Sequence, residues 1–429
     1  MVDDDELALE EIRKLYRPRI VDPIVEESLS IFGGVLIAGP KWCGKSWTGV
    51  YHSKSAIFLV KKETKRLALL DPEGILQGER PMLVDEWQTV PDLWDIARLN
   101  IDFSKRKGLY LFTGSTVPPQ KPVSHSGTGR FVRLKMRTLS LFESGHSNGK
   151  VSLANLFNGI KTETTKSSLD YSESIRLICR GGWPGSMDMD DKDALKIPKA
   201  YIDMVANNDA SQVDGKKRNP VLVEKLILSL ARNTATSASV NVLANDMAER
   251  AKRPSDATVS DYLGALKKLF LVEEQPGWSP NLRSATRLRS SPRRHLTDPS
   301  IAAAVLCNGP GELRQDPNTA GFLFESMCYR DLCVYASALG GKVAYYLDSN
   351  GTEVDFIIQL EDGRWGAAEA KMGVHEFEKA TDNLIKMRNK MVEGGVREPS
   401  FLMILNVTGG IAIERKDGII EVPIDCLGP

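Results

Sequence analysis

A chain of 429 residues is longer than one hydrophobic core ordinarily serves, so about two to four domains are expected. Its composition, 42% hydrophobic, 26% charged and 7% aromatic, excludes a mostly disordered or fibrous protein. Lys plus Arg and Asp plus Glu each number 56, so the net charge is zero and only local patches can argue for a polyanionic partner.

Residues 1–30 read as a helical lead-in. The acidic opening Met1-Val2-Asp3-Asp4-Asp5-Glu6 is unlike a signal peptide, and no apolar run approaches the ~20 residues that cross a bilayer, so no membrane partner is expected. From 31 to 145 short apolar runs alternate with amphipathic stretches, the pattern of an α/β domain. Strands are predicted at Gly34–Ala38, Ala56–Val60, Met82–Val84, Leu109–Phe112 and Phe131–Leu134. They are mostly unbroken apolar runs, which suits parallel strands covered on both faces. Residues 146–215 begin as a polar linker and continue as a helical segment.

Between 216 and 280 three helices are predicted, around Val221–Ala231, Val242–Ala251 and from Ser255 or Asp256 onward. In the third, Val259, Tyr262, Leu263, Leu266, Leu269 and Phe270 recur at helical spacing. A Gln275-Pro276-Gly277-Trp278 turn follows, and three helices with a hairpin outline a winged helix. The connector 281–315 holds Arg283, Arg287, Arg289, Arg293 and Arg294 without an acid between Asn281 and His295. It reads either as a phosphate-binding stretch, which makes DNA a candidate partner, or as a solvated linker. The last segment, 316–429, starts with a helix (Thr319–Ala338). Strands follow at Val343–Leu347, Glu353–Ile358, Gly366–Ala370 and Phe401–Leu405, with a polar helix (Val374–Val392) before the last. Six scattered cysteines, none paired as Cys-x-x-Cys, argue against structural zinc or a disulfide framework and for a reducing cytoplasm.

The string Gly39-Pro40-Lys41-Trp42-Cys43-Gly44-Lys45-Ser46, continuing into Trp47, satisfies G-x-x-x-x-G-K-[ST] between an apolar strand and an amphipathic stretch. Its glycines let backbone N–H groups point at phosphate oxygens, and a helix N-terminus adds favourable partial charge. Lys45 is expected to reach the β- and γ-phosphates of ATP, and Ser46 to ligate Mg²⁺. Met82–Val84 runs into Asp85 and Glu86, placing Asp85 on the magnesium shell and Glu86 against the attacking water. Thr113-Gly114-Ser115 ends the next strand, where Ser115 reads either as a γ-phosphate sensor or as turn chemistry.

These motifs resemble a family of prokaryotic AAA-type ATPases that carry a C-terminal domain of unknown function. The resemblance extends over Tyr16-Arg17-Pro18-Arg19, Val84-Asp85-Glu86-Trp87-Gln88, Leu111–Ser115, Gly129-Arg130, Leu139-Ser140-Leu141-Phe142-Glu143 and Gly181-Gly182-Trp183-Pro184. It implies an AAA/ASCE-type parallel sheet, then a helical segment, a winged helix and an α/β nuclease-like end. It also makes Arg130 the arginine-finger candidate, acting in its own subunit or in a neighbour of a homo-oligomer; the plain alternative is a surface arginine. Trp42, Cys43 and Ser46 depart from the commonest loop, although none removes a backbone phosphate contact.

In the C-terminal segment, Asp355 and Glu369-Ala370-Lys371 on adjacent strands, with Glu325 on the preceding helix, resemble the PD-(D/E)XK nuclease core. There Glu325, Asp355 and Glu369 would hold Mg²⁺, and Lys371 would stabilise charge on phosphate. Domains of this fold also persist as non-cleaving modules. Two readings follow: an ATPase coupled to a DNA-directed winged helix and nuclease-like module, or an ATP-switched protein-interaction module with an inactive C-terminal domain. A helicase-type motor ranks last, since no separate helicase motif is present.

Overall fold

The computed structural model describes residues 2–116, 127–248, 253–280 and 291–429, and the chain divides into two compact units. The first comprises 1–138 with 213–215 and 268–270; the second comprises 139–212, 216–267 and 271–429.

The first unit is built on five strands, β1 (Gly34–Ala38), β2 (Ser55–Phe58), β3 (Met82–Asp85), β4 (Tyr110–Gly114) and β5 (Phe131–Lys135). All pair in parallel, in the order β2-β3-β4-β1-β5. Alternation along each central strand divides the core in two. Leu36, Met82, Val84, Tyr110 and Phe112 join Trp87, Trp94 and Ala97 in one cluster. Val35, Ile37, Leu83 and Leu111 join Val25, Cys43 and Val50 in another. Every residue of β1, β3 and β4 is buried, which is why their sequences read as unbroken apolar runs.

In the second unit, a seven-stranded mixed sheet has the order β10-β11-β12-β13-β15-β14-β7. Its strands are β7 (Thr165–Lys166), β10 (Lys342–Leu347), β11 (Glu353–Gln359), β12 (Trp365–Lys371), β13 (Leu402–Asn406), β14 (Ile411–Glu414) and β15 (Ile419–Pro423). The helix Phe377–Glu393 lays Phe377, Ala380, Leu384 and Met387 against Val354, Ile357, Trp365 and Leu402. The helix Pro317–Ser337 is buried along nearly its whole length, and it opens on Asp316, which accepts the Thr319 N–H.

Two expectations need correction. Part of the segment read as a polar linker is built into this unit: β6 (Val151–Ser152) pairs with β16 (Leu427–Gly428), and β7 pairs with β14. Two-residue strands are too short to show a period, so their sequence carried no signal. Likewise the 281–315 connector supplies β9 (Arg293–Leu296), which pairs antiparallel with β8 (Val272–Gln275). Gln275–Trp278 is therefore not the hairpin turn. Trp278 donates its backbone N–H to Tyr345 O and packs at 5.1 Å from the Trp365 ring, drawn in by its apolar bulk. Arg283, Arg287 and Arg289 lie outside the described residues. The helices Pro220–Arg232, Val240–Asp246 and Asp256–Lys268 precede the hairpin in the expected order.

Candidate functional site

The carboxyl ends of β1, β4 and β3 lie side by side, with Ala38 opposite Gly114 and Val84 opposite Phe112. Loops beyond the carboxyl ends of a parallel sheet are where such folds bind ligands. The Gly39–Ser46 loop leaves β1, Asp85 and Glu86 end β3, and Ser115 follows β4.

Gly39 donates to Gly114 O, and a side chain there would meet Met136 O at 2.2 Å, so only glycine fits. Trp42 and Gly44 take positive φ (64° and 101°), curling the loop ahead of the helix Lys45–Tyr51. Lys45 is buried and donates to Pro40 O at 2.7 Å, folded back across its own loop. Trp42 and Trp47 are exposed, Lys41 is half-buried and Cys43 is buried within the core. Arg19 holds the loop from behind, donating to Cys43 O and Arg137 O at 2.9 Å each. Tyr16 donates to Asp22 at 2.7 Å and lies 3.0 Å from Thr48 Oγ1 on the loop's helix. The Tyr16–Arg19 motif thus buttresses the site, a role its sequence did not disclose.

Asp85 hydrogen-bonds Ser46 and accepts from Thr113 Oγ1 at 2.6 Å. Burial pushes its carboxyl above the ordinary range against the pull of both hydrogen bonds. Glu86 sits in the left-handed region (φ 54°), which turns its carboxylate back toward β4. There its Oε2 accepts from Ser115 Oγ at 3.0 Å and from Gln88 Nε2. Gln88 is a site residue that sequence reasoning missed; its place two residues after Glu86 was the available cue. The donors fit a magnesium nucleotide: curled backbone, one ammonium, and a hydroxyl–carboxylate pair of hard oxygens at Ser46 and Asp85.

Arg130 lies elsewhere. Its neighbour Phe131 pairs with Gly34 at the start of β1, while the loop leaves after Ala38 at its end. Its guanidinium pairs with Asp102 at 2.7 Å and donates to Thr128 O.

The C-terminal residues do converge. The β11–β12 register sets Phe356 against Ala368, so Asp355 and Glu369, the next residues outward, come together at the hairpin's end. Lys371 Nζ bridges them, 3.2 Å from Asp355 Oδ2 and 2.7 Å from Glu369 Oε2. Arg293 of β9 enters the same cluster, with Nη1 2.6 Å from Glu325 Oε1 and 3.3 Å from Asp355 Oδ1, and it also pairs with Glu353. Burial foremost, then the Asp355 charge, pushes Glu369 up to about 8 and Glu325 well above the carboxylate range. Asp355 is buried too, yet Lys371 and Arg293 hold it below its ordinary value. Among the described residues, no group of three or more His, Cys, Asp or Glu side chains is arranged to hold a metal ion.

Comparison with known proteins matches residues 33–144 to an AAA domain family, 172–312 to a domain of unknown function (DUF8612) and 320–427 to another (DUF4143). An uncharacterized protein of Mycobacterium tuberculosis is 24% identical over 342 residues, 77% of this chain and 69% of its own length. Among solved structures, a Walker-type ATPase of Pyrococcus abyssi aligns at 13% identity and TM-score 0.38, over 66% of this chain and 94% of that one. The Thermotoga maritima RuvB Holliday junction branch migration motor aligns at 16% identity and TM-score 0.27, over 61% and 93%. The chain therefore carries an AAA-type P-loop domain and a C-terminal DUF4143 domain. No helix among the described residues is long and apolar enough to cross a membrane.

Proposed function

We propose that the first unit binds ATP with Mg²⁺ at Gly39–Ser46 and hydrolyses it, and that the nucleotide state switches the second unit as an interaction module. The observation that carries the first part is the meeting of Lys45, Ser46, Asp85, Glu86 and Ser115 at the ends of three adjacent parallel strands. Lys45 leaves Pro40 O to reach phosphate oxygens, and Ser46 with Asp85 holds the cation. Bound magnesium supplies neutralisation of charge on those oxygens. Glu86 Oε2, once released by Ser115 and Gln88, orients a water and takes its proton.

The burial of the β8–β9 hairpin supports the interaction reading over the DNA-directed one. Glu273, Gln275, Arg293 and His295 are all at most 4% exposed. Arg294 pairs with Glu274 at 3.4 Å, and Lys267 with the same residue at 2.6 Å. Basic groups already paired with carboxylates release few counterions on meeting a phosphate backbone.

Lys45→Ala tests the nucleotide site. Fluorescent ATP-analogue binding and phosphate release should both fall to background, and retained turnover in the pure variant would overturn the assignment.

A further inference from the structure

A divalent cation at Glu325, Asp355 and Glu369 needs oxygen ligands at about 2.0–2.6 Å with free lone pairs. The structure leaves no such arrangement. Cationic nitrogens already stand between the carboxylates, in the alternating chain Glu325–Arg293–Asp355–Lys371–Glu369. Both oxygens of Asp355 are engaged, Oδ1 by Arg293 and Oδ2 by Lys371 and the Ala370 N–H.

Arg293 is also fixed in place. It is 4% exposed, its guanidinium lies 5.0 Å from the Tyr345 ring centroid, and its backbone is in the ladder opposite Gln275. Gln275 in turn donates to Asp355 O at 2.7 Å, tying β8 to β11. A guanidinium cannot shed its charge, so no accessible pH removes it from the cluster.

We propose that Arg293 is the resident cation of this cluster, occupying the place between Glu325 and Asp355 that a catalytic metal would take. It closes the C-terminal domain to divalent ions, and the carboxylates and Lys371 form a structural charge network. Removing the guanidinium leaves Glu325 buried without this countercharge and frees Asp355 Oδ1, with only Lys371 left on Asp355 Oδ2, a state that a divalent ion relieves. The cluster is thus a metal site suppressed by one side chain.

The test is Mn²⁺ titration followed by electron paramagnetic resonance on full-length, nucleotide-free protein. All samples carry Ser46→Ala, which removes the phosphate loop's own metal ligand. The parent and its Asp355→Asn variant should bind Mn²⁺ equally weakly. Arg293→Met should gain one site at least ~10-fold tighter than the parent, and Arg293→Met with Asp355→Asn should lose it. A Mn²⁺ site in the parent that Asp355→Asn abolishes overturns the proposal. So does a folded Arg293→Met protein with no gain. Should Arg293→Met fail to fold by circular dichroism, the parent decides alone: a tight site refutes the proposal and its absence supports it. Nucleotide plays no part in this readout, so failure of the ATPase reading would be separately visible.

Discussion

Glu86 Oε2 is held by Ser115 Oγ and Gln88 Nε2, so the base role proposed for it requires release by these two neutral neighbours. Glu86→Gln keeps the size and the hydrogen-bonding reach while removing the basic oxygen. Nucleotide affinity should stay within a few-fold of wild type while steady-state hydrolysis drops by roughly 10²-fold or more. Equal losses in binding and turnover would count against this role. His295 offers a second test at this scale. It is stacked on Tyr329 and hydrogen-bonded by Ser326 and Gln275; burial foremost, then Arg293, lowers its imidazole to about 3, while Glu273 and Asp355 oppose the shift. The unfolded chain takes up a proton near pH 6.5 that the folded one refuses. Stability from this group is therefore complete above about 6.5 and is lost as pH falls toward 3, at about 1.4 kcal/mol per pH unit. Thermal melts between pH 7 and 4 should show a shallower decline in His295→Gln than in wild type; parallel declines would refute it.

Among the elements, β6 and β7 carry weight out of proportion to their length. Ser167 and Ser168 donate three hydrogen bonds to the buried Asp425 carboxylate, at 2.7, 2.8 and 3.1 Å, and Thr165 and Lys166 pair with Ala412 and Ile411. Replacing residues 159–168 by an equally long all-Gly stretch should cost on the order of 3 kcal/mol, because Asp425 loses both hydroxyl donors inside the protein. Calorimetry should then show a lower unfolding midpoint for the second unit. An unchanged midpoint would restore the linker reading. What could be read from the chain follows from the same physics. Strands buried on both faces announced themselves as apolar runs, and the phosphate loop as a spaced string. Tyr16 and Arg19 gave no cue because their work is bonding backbone and side chains across the fold. Arg293 read as part of a phosphate-binding stretch or a solvated linker because its partners Glu325, Glu353 and Asp355 lie 32, 60 and 62 positions away. Pairing at such separations leaves no local pattern.

For the whole molecule, the proposed finger role of Arg130 bears on whether the nucleotide site is complete within one chain. Five residue steps separate the level of Arg130 in the sheet, beside Gly33, from Ala38 at the start of the phosphate loop, about 16 Å at strand rise. We propose that a finger at that position serves the site of another copy. Mixing Arg130→Ala chains, which keep Lys45, with Lys45→Ala chains, which keep Arg130, should restore part of the ATP turnover that each lacks alone. Absence of rescue, with a wild-type rate per chain that ignores concentration, would remove Arg130 from the mechanism.

The pairing of β6 with β16 also sets a timetable for biosynthesis. Ser152 donates to Pro429 O across 277 residues, and Ser147 to Leu427 O across 280. At ribosomal rates these partners are made roughly 14–55 s apart. The parallel sheet of the first unit is fully translated by then, so it can close while β6 and β7 still wait for their partners. During that interval Leu153, Leu156 and Phe157, all buried in the finished protein, stay open to water. A chaperone that shields this apolar stretch would bridge that interval.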